Sequence, residues 1–217
     1  NVYTHNGAEI TSSAIRPLLE ENCDVFIRYN EAISILRKVR TKTKKSFSEI
    51  VRPAMTFGMR TFVKSFDSKE PKEGYVKVYA NHTIGYQKRN KIERGLEFID
   101  LWKVIVPEAI GIGDMKSDVI KPILSEPNSV NTETYIMNGP YKSKQEAQNV
   151  ISYIGTKFFH FLLGLKKNTQ HTTQAVYQFV PLQDFTANSD IDWSKSIPEI
   201  GKQLYRKYGL SEEEIAF

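Results

Sequence analysis

The feature that most constrains the fold of this chain is a run of apolar residues at helical spacing between positions 143 and 165. Steps of three and four residues between apolar side chains place them on one face of a helix. Ser143 followed by Glu146 is typical of a capping box at a helix start. The pattern predicts one long, largely buried helix, about 34 Å in length at 1.5 Å per residue. Its core face comprises Ala147, Val150, Ile151, Ile154, Phe158, Phe159, Phe161, Leu162, Leu163 and Leu165.

Length and composition bound the class of protein. A chain of 217 residues, 40% of them hydrophobic, can bury a sizeable core as one domain. No run of about 18 apolar residues occurs, so we predict no membrane span and no membrane partner. Cys23 is the only cysteine, which excludes an internal disulfide and favours the reducing cytoplasm. We predict one domain over residues 1–187, in which residues 1–6 are a frayed end, and a short helical tail over residues 188–217.

The other patterns predict a mixed α/β (α+β) fold, in which a mostly antiparallel β core packs on the long helix. Alternating polar and apolar residues are typical of strands, and Ser, Asn or Asp before an apolar helical pattern marks a helix start. A helix capped by Ser46 is expected on this basis, with Glu49 at the capping-box position. The predicted strands are 24–29, 75–79, 83–87, 103–106, 119–124, 132–137 and 176–182. The other predicted helices are 8–21, 31–40 with Asn30 as its cap, 96–101 and 198–217.

Charge is unevenly distributed along the chain. The net charge is +5 with a sequence pI near 9.1. Ten Lys and Arg lie between Arg28 and Lys64 against two acidic residues, whereas residues 184–217 carry seven acidic and four basic residues. This asymmetry favours a polyanion on one side of the molecule and a protein neighbour on the other. A solvated cationic surface without a partner is the alternative that charge alone leaves open.

Motifs for catalysis are weak in this sequence. Gly111-x-Gly113 follows a predicted strand, but the third glycine of a cofactor loop is missing and Pro107 intervenes. Residues 138–141 resemble the Asn-Pro-Pro-Tyr motif of amino-methyltransferases, but the spacing is more typical of a strand-to-helix turn. The four histidines have no ligand-like spacing. We therefore predict no catalytic residue, no metal site and no cofactor in this chain.

Three polar segments, 41–45, 88–91 and 166–173, each follow a predicted element and could line one face. Lys and Arg neutralise phosphates, while Arg, Asn and Gln read base edges. The predicted phosphate-binding residues are Arg40, Lys42, Lys44, Lys45, Lys88, Arg89, Lys91, Lys116, Lys166 and Lys167. The predicted base-reading residues are Arg60, Asn168, Thr169, Gln170 and His171.

A family resemblance is carried by segments 112–118, 132–136, 149–162, 166–185 and 204–215, which include Lys166-Lys167-Asn168-Thr169-Gln170 and Leu204-Tyr205-x-Lys207-Tyr208-Gly209-Leu210. The region from about residue 103 to 217 resembles the C-terminal region of restriction–modification adenine methyltransferases, within the type II restriction enzyme and methylase family. The resemblance implies a target-recognition domain that selects a double-stranded DNA sequence. It also implies a catalytic domain of the same parent chain, preceding residue 1, that transfers a methyl group from S-adenosylmethionine to adenine.

We therefore predict a sequence-specific duplex DNA recognition domain. Two alternatives stay open at this point. A protein-docking module of a restriction–modification complex is favoured if the basic residues scatter over the surface. A metal-dependent nuclease requires Asp67 or another carboxylate within about 4–5 Å of Glu70 around a divalent metal.

Overall fold

A computed structural model describes residues 1–61, 65–110 and 120–217 of the chain. Over these residues the fold is α+β, as predicted. The strands are β1 (Val2–Asn6), β2 (Glu9–Ala14), β3 (Tyr75–Ala80), β4 (Thr83–Lys88), β5 (Trp102–Pro107), β6 (Ile123–Ser125), β7 (Ser129–Asn131) and β8 (Tyr135–Tyr141). The α-helices are α1 (Ala32–Lys42), α2 (Lys144–Ile154), α3 (Lys157–Lys166), α4 (Ile197–Tyr208) and α5 (Glu212–Ala216). Short 3₁₀ helices cover Phe47–Ile50, Arg89–Lys91, Leu96–Phe98 and Gln174–Phe179.

The described strands form three small sheets. β1 and β2 make a two-stranded antiparallel sheet, and β6, β5 and β8 make an antiparallel sheet in that order. In the third sheet β3 pairs with β4 in antiparallel fashion and with β7 in parallel. The predicted strands 75–79 and 83–87 are confirmed as β3 and β4, which form a hairpin whose turn after Ala80 contains His82 with φ +52°. The prediction of a mostly antiparallel β core is therefore confirmed.

The prediction of a single long helix is wrong, because the segment forms two helices that are separated at Gly155 and Thr156. Thr156 has extended backbone geometry, and its Oγ1 accepts a hydrogen bond from the N–H of Phe159 at 3.2 Å. The same hydroxyl donates to the carbonyl of Tyr153 at 2.8 Å. A threonine bonded in this way ends one helix and caps the next. The predicted cap at Ser143 is confirmed, since its Oγ accepts from the N–H of Glu146 at 3.1 Å.

The first forty residues also differ from prediction. Residues 1–14 form the β1–β2 hairpin around Gly7, which has φ +63°, rather than a frayed end and a helix. Apolar residues four apart, on which the predicted helix depended, also share one face of a strand. Residues 24–29 form no strand. Asn30 does not cap α1, because its side-chain amide donates to the carbonyl of Val2 and to Ser12.

Two further segments differ in type. The predicted strand 176–182 is mostly the 3₁₀ helix Gln174–Phe179, whose Val176, Tyr177 and Phe179 side chains are buried. Those buried side chains gave the apolar run that resembled a strand. A short strand, β7, forms between the predicted strands 119–124 and 132–137, where no strand was predicted. The capping box at Ser46 and Glu49 is confirmed, on a 3₁₀ helix.

The larger hydrophobic cluster packs α1, α2 and α3 against β5 and β8. The tail contributes Ile200, Leu204 and Tyr208 to the same cluster. A second cluster, which includes Val76, Val78 and Ile105, lies between the sheet of β3 and the sheet of β5. A search of the described helices finds none with the length and hydrophobicity needed to cross a bilayer.

Candidate nucleic-acid interface

Two adjoining concavities, of about 570 and 480 Å³, lie beside the C-terminal half of α1 and share Asn22, Arg40 and Lys44. We call them together the cationic groove. Lys45, Ser46, Ser48, Glu49 and Gln178 line its second part. Lys44 and Lys45 are exposed, and no described residue forms an ion pair or hydrogen bond with either ammonium group. The groove thus offers two free cations from the predicted phosphate-binding set.

Arg40 lines both parts of the groove and is held in place by its neighbours. Its Nη1 donates to the carbonyl of Glu21 at 2.9 Å, and its Nη2 donates to the carbonyl of Asn22 at 3.1 Å. The guanidinium lies 5.0 Å from the ring centroid of Phe179. Its positive charge has therefore a fixed position. Lys42 points away to the tail, where its Nζ donates to the carbonyl of Lys207 at 2.8 Å.

A third concavity, of about 550 Å³, lies where the β3–β4 turn meets the ends of β5 and β8. We call it the polar cleft. Its position follows from the pairing of Pro107 with Tyr135 at the end of the sheet. It is lined by Ala54, Thr61, Asn81, His82, Pro107, Glu108, Ala109, Glu133, Thr134 and Tyr135.

Glu133 is one of two carboxylates in the polar cleft. Its Oε1 accepts from the N–H of Thr61 at 3.1 Å and from the Thr61 hydroxyl at 3.2 Å, and its Oε2 accepts from Nη1 of Arg60 at 3.2 Å. The backbone N–H of Thr61, assisted by the charge of Arg60, holds the pKa of Glu133 below its ordinary value. Arg60, predicted to read bases, is 75% exposed at the rim.

Glu108 is the second carboxylate, and both of its oxygens lie 2.9 Å from Nδ1 of His171. The N–H of Thr172 donates to the carbonyl of Glu108 at 2.8 Å, and the N–H of Ile110 donates to the carbonyl of Gln170 at 2.9 Å. The segment that carries the predicted base-reading residues is thus paired with the chain that leaves β5. Asn168, Thr169 and Gln170 are exposed beside it, and Thr169 Oγ1 accepts from the N–H of His171.

Two chain segments border both the cationic groove and the polar cleft. In residues 46–54, Ser46, Ser48 and Glu49 line the groove and Ala54 lines the cleft. In residues 171–178, His171 contacts a cleft carboxylate and Gln178 lines the groove. Nε2 of Gln174 donates to the carbonyl of Ser48 at 2.9 Å and joins the two segments. Glu49 and Ala54 are five residues apart, so groove and cleft are separated by at most about 18 Å.

The predicted segment 88–91 lies elsewhere. Lys88 pairs with Tyr75 at the end of the β3–β4 hairpin opposite to the turn at the cleft. That hairpin is about 17 Å long at 3.4 Å per residue. Arg89 forms two hydrogen bonds with Asp100, at 2.7 and 2.6 Å, and Lys91 Nζ lies 2.6 Å from Asp67 Oδ1. The structure does not bring these cations to the cleft.

Lys166 and Lys167, predicted to hold phosphates, are only 6% and 5% exposed. Nζ of Lys166 binds Asp24 at 2.7 Å and contacts Gln178, and Nζ of Lys167 donates to the carbonyl of Ile110 at 2.6 Å. Both ammonium groups stabilise the fold and are not accessible to a phosphate in this conformation. Helix-end lysines are usually solvated, so this burial could not be predicted from the residue pattern. Lys116 lies outside the described residues.

The sequence interpretation missed Glu108, Glu133 and Thr61. Glu108 could have been found from its place directly after the buried strand β5, where site residues are common. Glu133 lies within one of the segments that carry the family resemblance. Neither Glu108 nor Glu133 was predicted to contact DNA, because carboxylates repel phosphates.

Residues of the motifs considered for catalysis form hydrogen bonds within the described part of the fold. Residues 138–141 end β8 rather than forming the predicted turn, and the Tyr141 hydroxyl donates to Asn138 Oδ1 at 2.8 Å. Asp67 accepts from the N–H of Lys88 and from Lys91. In the described part of the chain, no group of three or more His, Cys, Asp or Glu residues could hold a metal ion. The glycines at 111 and 113 lie outside the described residues.

No protein-family model matches the chain, and the curated proteins contain no significant match to it.

Proposed function

We propose that this chain recognises duplex DNA, with the cationic groove holding backbone phosphates and the polar cleft facing base edges. The observation that carries the proposal is the sharing of residues 46–54 and 171–178 by both features. Phosphate contacts supply affinity and position, and base-edge contacts supply specificity. A surface that offers both kinds of group side by side suits that division.

The dimensions support contact with a single duplex. The major groove of B-form DNA is about 12 Å wide and is flanked by phosphates on both strands. Groove and cleft lie within about 18 Å of each other along residues 49–54. Lys44 and Lys45 would hold phosphates in the part of the groove where Arg40 is fixed against Phe179. Arg60 and His171 would approach the bases from the rim of the cleft, together with Asn168, Thr169 and Gln170.

The family resemblance extends the proposal to the parent protein. A catalytic domain of the same parent chain would bind S-adenosylmethionine, extrude an adenine from the duplex and methylate its exocyclic amine. This chain would select the sequence and would act in the cytoplasm, where the DNA is. No residue of the present chain is assigned to methyl transfer.

A protein-docking role is the second candidate, and two observations favour it. The segment 88–91 lies at the far end of the β3–β4 hairpin, so the basic residues do not all share one site. Ile15, Leu18 and Leu19 are 93%, 72% and 48% exposed near the N-terminal sheet. Exposed apolar residues that are close in sequence are typical of protein contacts. Both roles can coexist in one chain, because they use different residues.

The double substitution Lys44→Gln/Lys45→Gln is expected to weaken DNA binding and to flatten its salt dependence. Each phosphate contact contributes about 0.9 to the slope of log K against log salt concentration, so two lost contacts lower the slope by about 1.8. Fluorescence anisotropy of a random-sequence duplex between 50 and 200 mM salt measures it. The matched control is Lys157→Gln/Lys202→Gln, two exposed lysines on α3 and α4. Equal slopes for the two double variants would refute the role of the groove.

A further inference from the structure

We infer that the ion pair of Arg60 and Glu133 reads the major-groove edge of a G·C base pair. This inference rests on the proposed DNA recognition and adds the base pair that the cleft selects. It assigns a role to Glu133, which the sequence did not suggest. Because Arg60 Nη1 and Glu133 Oε2 are 3.2 Å apart, a cationic donor and an anionic acceptor stand side by side at the rim of the cleft.

The described lining of the cleft disfavours a phosphate, because it contains two carboxylates and no Lys or Arg, whereas the groove presents Arg40, Lys44 and Lys45. Glu108 and Glu133 are neighbours, since the N–H of Glu108 donates to the carbonyl of Thr134 at 2.8 Å. A carboxylate accepts hydrogen bonds and repels a phosphodiester. A ligand of this cleft must therefore present hydrogen-bond donors. In the major groove those donors are the exocyclic amino groups of cytosine and adenine.

Arg60 distinguishes between these two bases. A guanidinium donates two parallel hydrogen bonds to N7 and O6 of guanine, and the N4 amino group of the paired cytosine lies next to O6. An Arg beside a Glu therefore matches a G·C pair, because the Arg donates to guanine and the Glu accepts from the neighbouring cytosine amino group. Adenine places its N6 amino group beside N7, where it would meet the second N–H of the guanidinium. Thymine would turn its O4 carbonyl towards a carboxylate.

Both groups are prepared for this contact. Two hydrogen bonds from Thr61 fix Oε1 of Glu133, and the N–H of Glu133 donates to the carbonyl of Met59 at 2.9 Å. The acceptor is thus in place before DNA arrives. Only Nη1 of Arg60 is bonded within the described residues, so Nη2 and Nε are available to guanine.

The test is selection of bound duplexes from a randomised pool, followed by sequencing, with the wild-type chain and the variants Arg60→Gln and Glu133→Gln. The wild type is expected to enrich a G·C pair at one position. Arg60→Gln is expected to reduce that preference by roughly 5- to 150-fold, the range for one bidentate base contact. Glu133→Gln is expected to reduce it by a smaller factor, because Glu133 makes a single contact and Gln keeps an acceptor oxygen. Both variants are expected to leave the other positions unchanged. Asp190→Asn, which removes the charge of the exposed Asp190 carboxylate that pairs with Lys207 in the tail, is the control.

The outcomes separate this inference from the proposed function. A wild type that binds duplexes but enriches no G·C pair, or variants that keep the wild-type preference, would overturn the reading of G·C while leaving DNA binding intact. A wild type that binds no duplex at low salt would overturn the proposed function itself. Should Glu133→Gln reduce thermal stability, Arg60→Gln decides the matter, because its side chain is 75% exposed and supports no core packing.

Discussion

Replacing Phe47 with alanine is expected to lower the free energy of unfolding by about 3–5 kcal/mol, the range for removing a buried Phe side chain. Phe47 is fully buried, and its ring centroid lies 5.2 Å from that of Phe159, 5.8 Å from that of Tyr177 and 6.1 Å from that of Tyr153. The substitution leaves a cavity among three other rings. At roughly 2–4 °C per kcal/mol for a chain of this size, the Tm is expected to fall by about 6–20 °C.

The position of Phe47 links this loss to the proposed interface. Phe47 begins the 3₁₀ helix within residues 46–54, and its N–H donates to the carbonyl of Val180 at 2.8 Å. Its ring therefore anchors the segment that borders both the cationic groove and the polar cleft. Urea unfolding followed by circular dichroism measures the effect. Phe217→Ala is the control, because Phe217 is 49% exposed; a similar loss in both variants would contradict the anchoring role.

Lys103 is expected to make the free energy of unfolding increase with pH in the alkaline range. Its side chain is fully buried in β5, and Nζ donates to the carbonyls of Phe98, Ile99, Leu101 and Glu126 at 2.7–3.4 Å. Burial penalises the charged form and lowers the pKa of Lys103 to about 8, from an ordinary value of 10.5. Between these two values the unfolded chain binds more protons than the folded chain. The free energy of unfolding must therefore rise with pH in this window.

The expected contribution of Lys103 is about 2.5 kcal/mol between pH 7 and pH 10, at 1.36 kcal/mol per pKa unit. Urea unfolding of the wild type and of Lys103→Met at both pH values measures it, since subtraction cancels the other titrating groups. Relative to the variant, the wild type is expected to gain this amount at pH 10. Lys72→Met, at an exposed position, should follow the wild type. Parallel pH profiles for Lys103→Met and the wild type would show that the Lys103 pKa is not lowered.

Local sequence patterns predicted the elements whose determinants are themselves local. The β3–β4 hairpin and the capping box of Ser46 with Glu49 follow from alternation and from spacing. The interruption at Gly155 and Thr156 could not be predicted from the apolar spacing, because one long helix and two consecutive helices present the same apolar face. The 3₁₀ helix Gln174–Phe179 was equally hidden, since burial of Val176, Tyr177 and Phe179 against α3 is a tertiary property.

The candidate site divides in the same way. Arg60 and His171 were chosen for their side-chain chemistry, and their DNA contacts stay a prediction. Their carboxylate partners could not be predicted from local patterns, because Glu133 pairs with Arg60, and Glu108 with His171, across large sequence separations. For Lys166 and Lys167 the prediction of an exposed, phosphate-binding side chain failed. Their charge predicted exposure, but Asp24, Gln178 and the carbonyl of Ile110 hold them inside the fold.

The measurement that tests the central claim most directly is hydrogen–deuterium exchange of the chain with and without a duplex at low salt. Bound DNA should protect residues 46–54 and 171–178 together, because both segments border the cationic groove and the polar cleft. Protection confined to residues 86–94, or to only one of the two segments, would contradict a single surface that uses groove and cleft at once. An exchange pattern unchanged by the duplex would contradict DNA recognition by this chain.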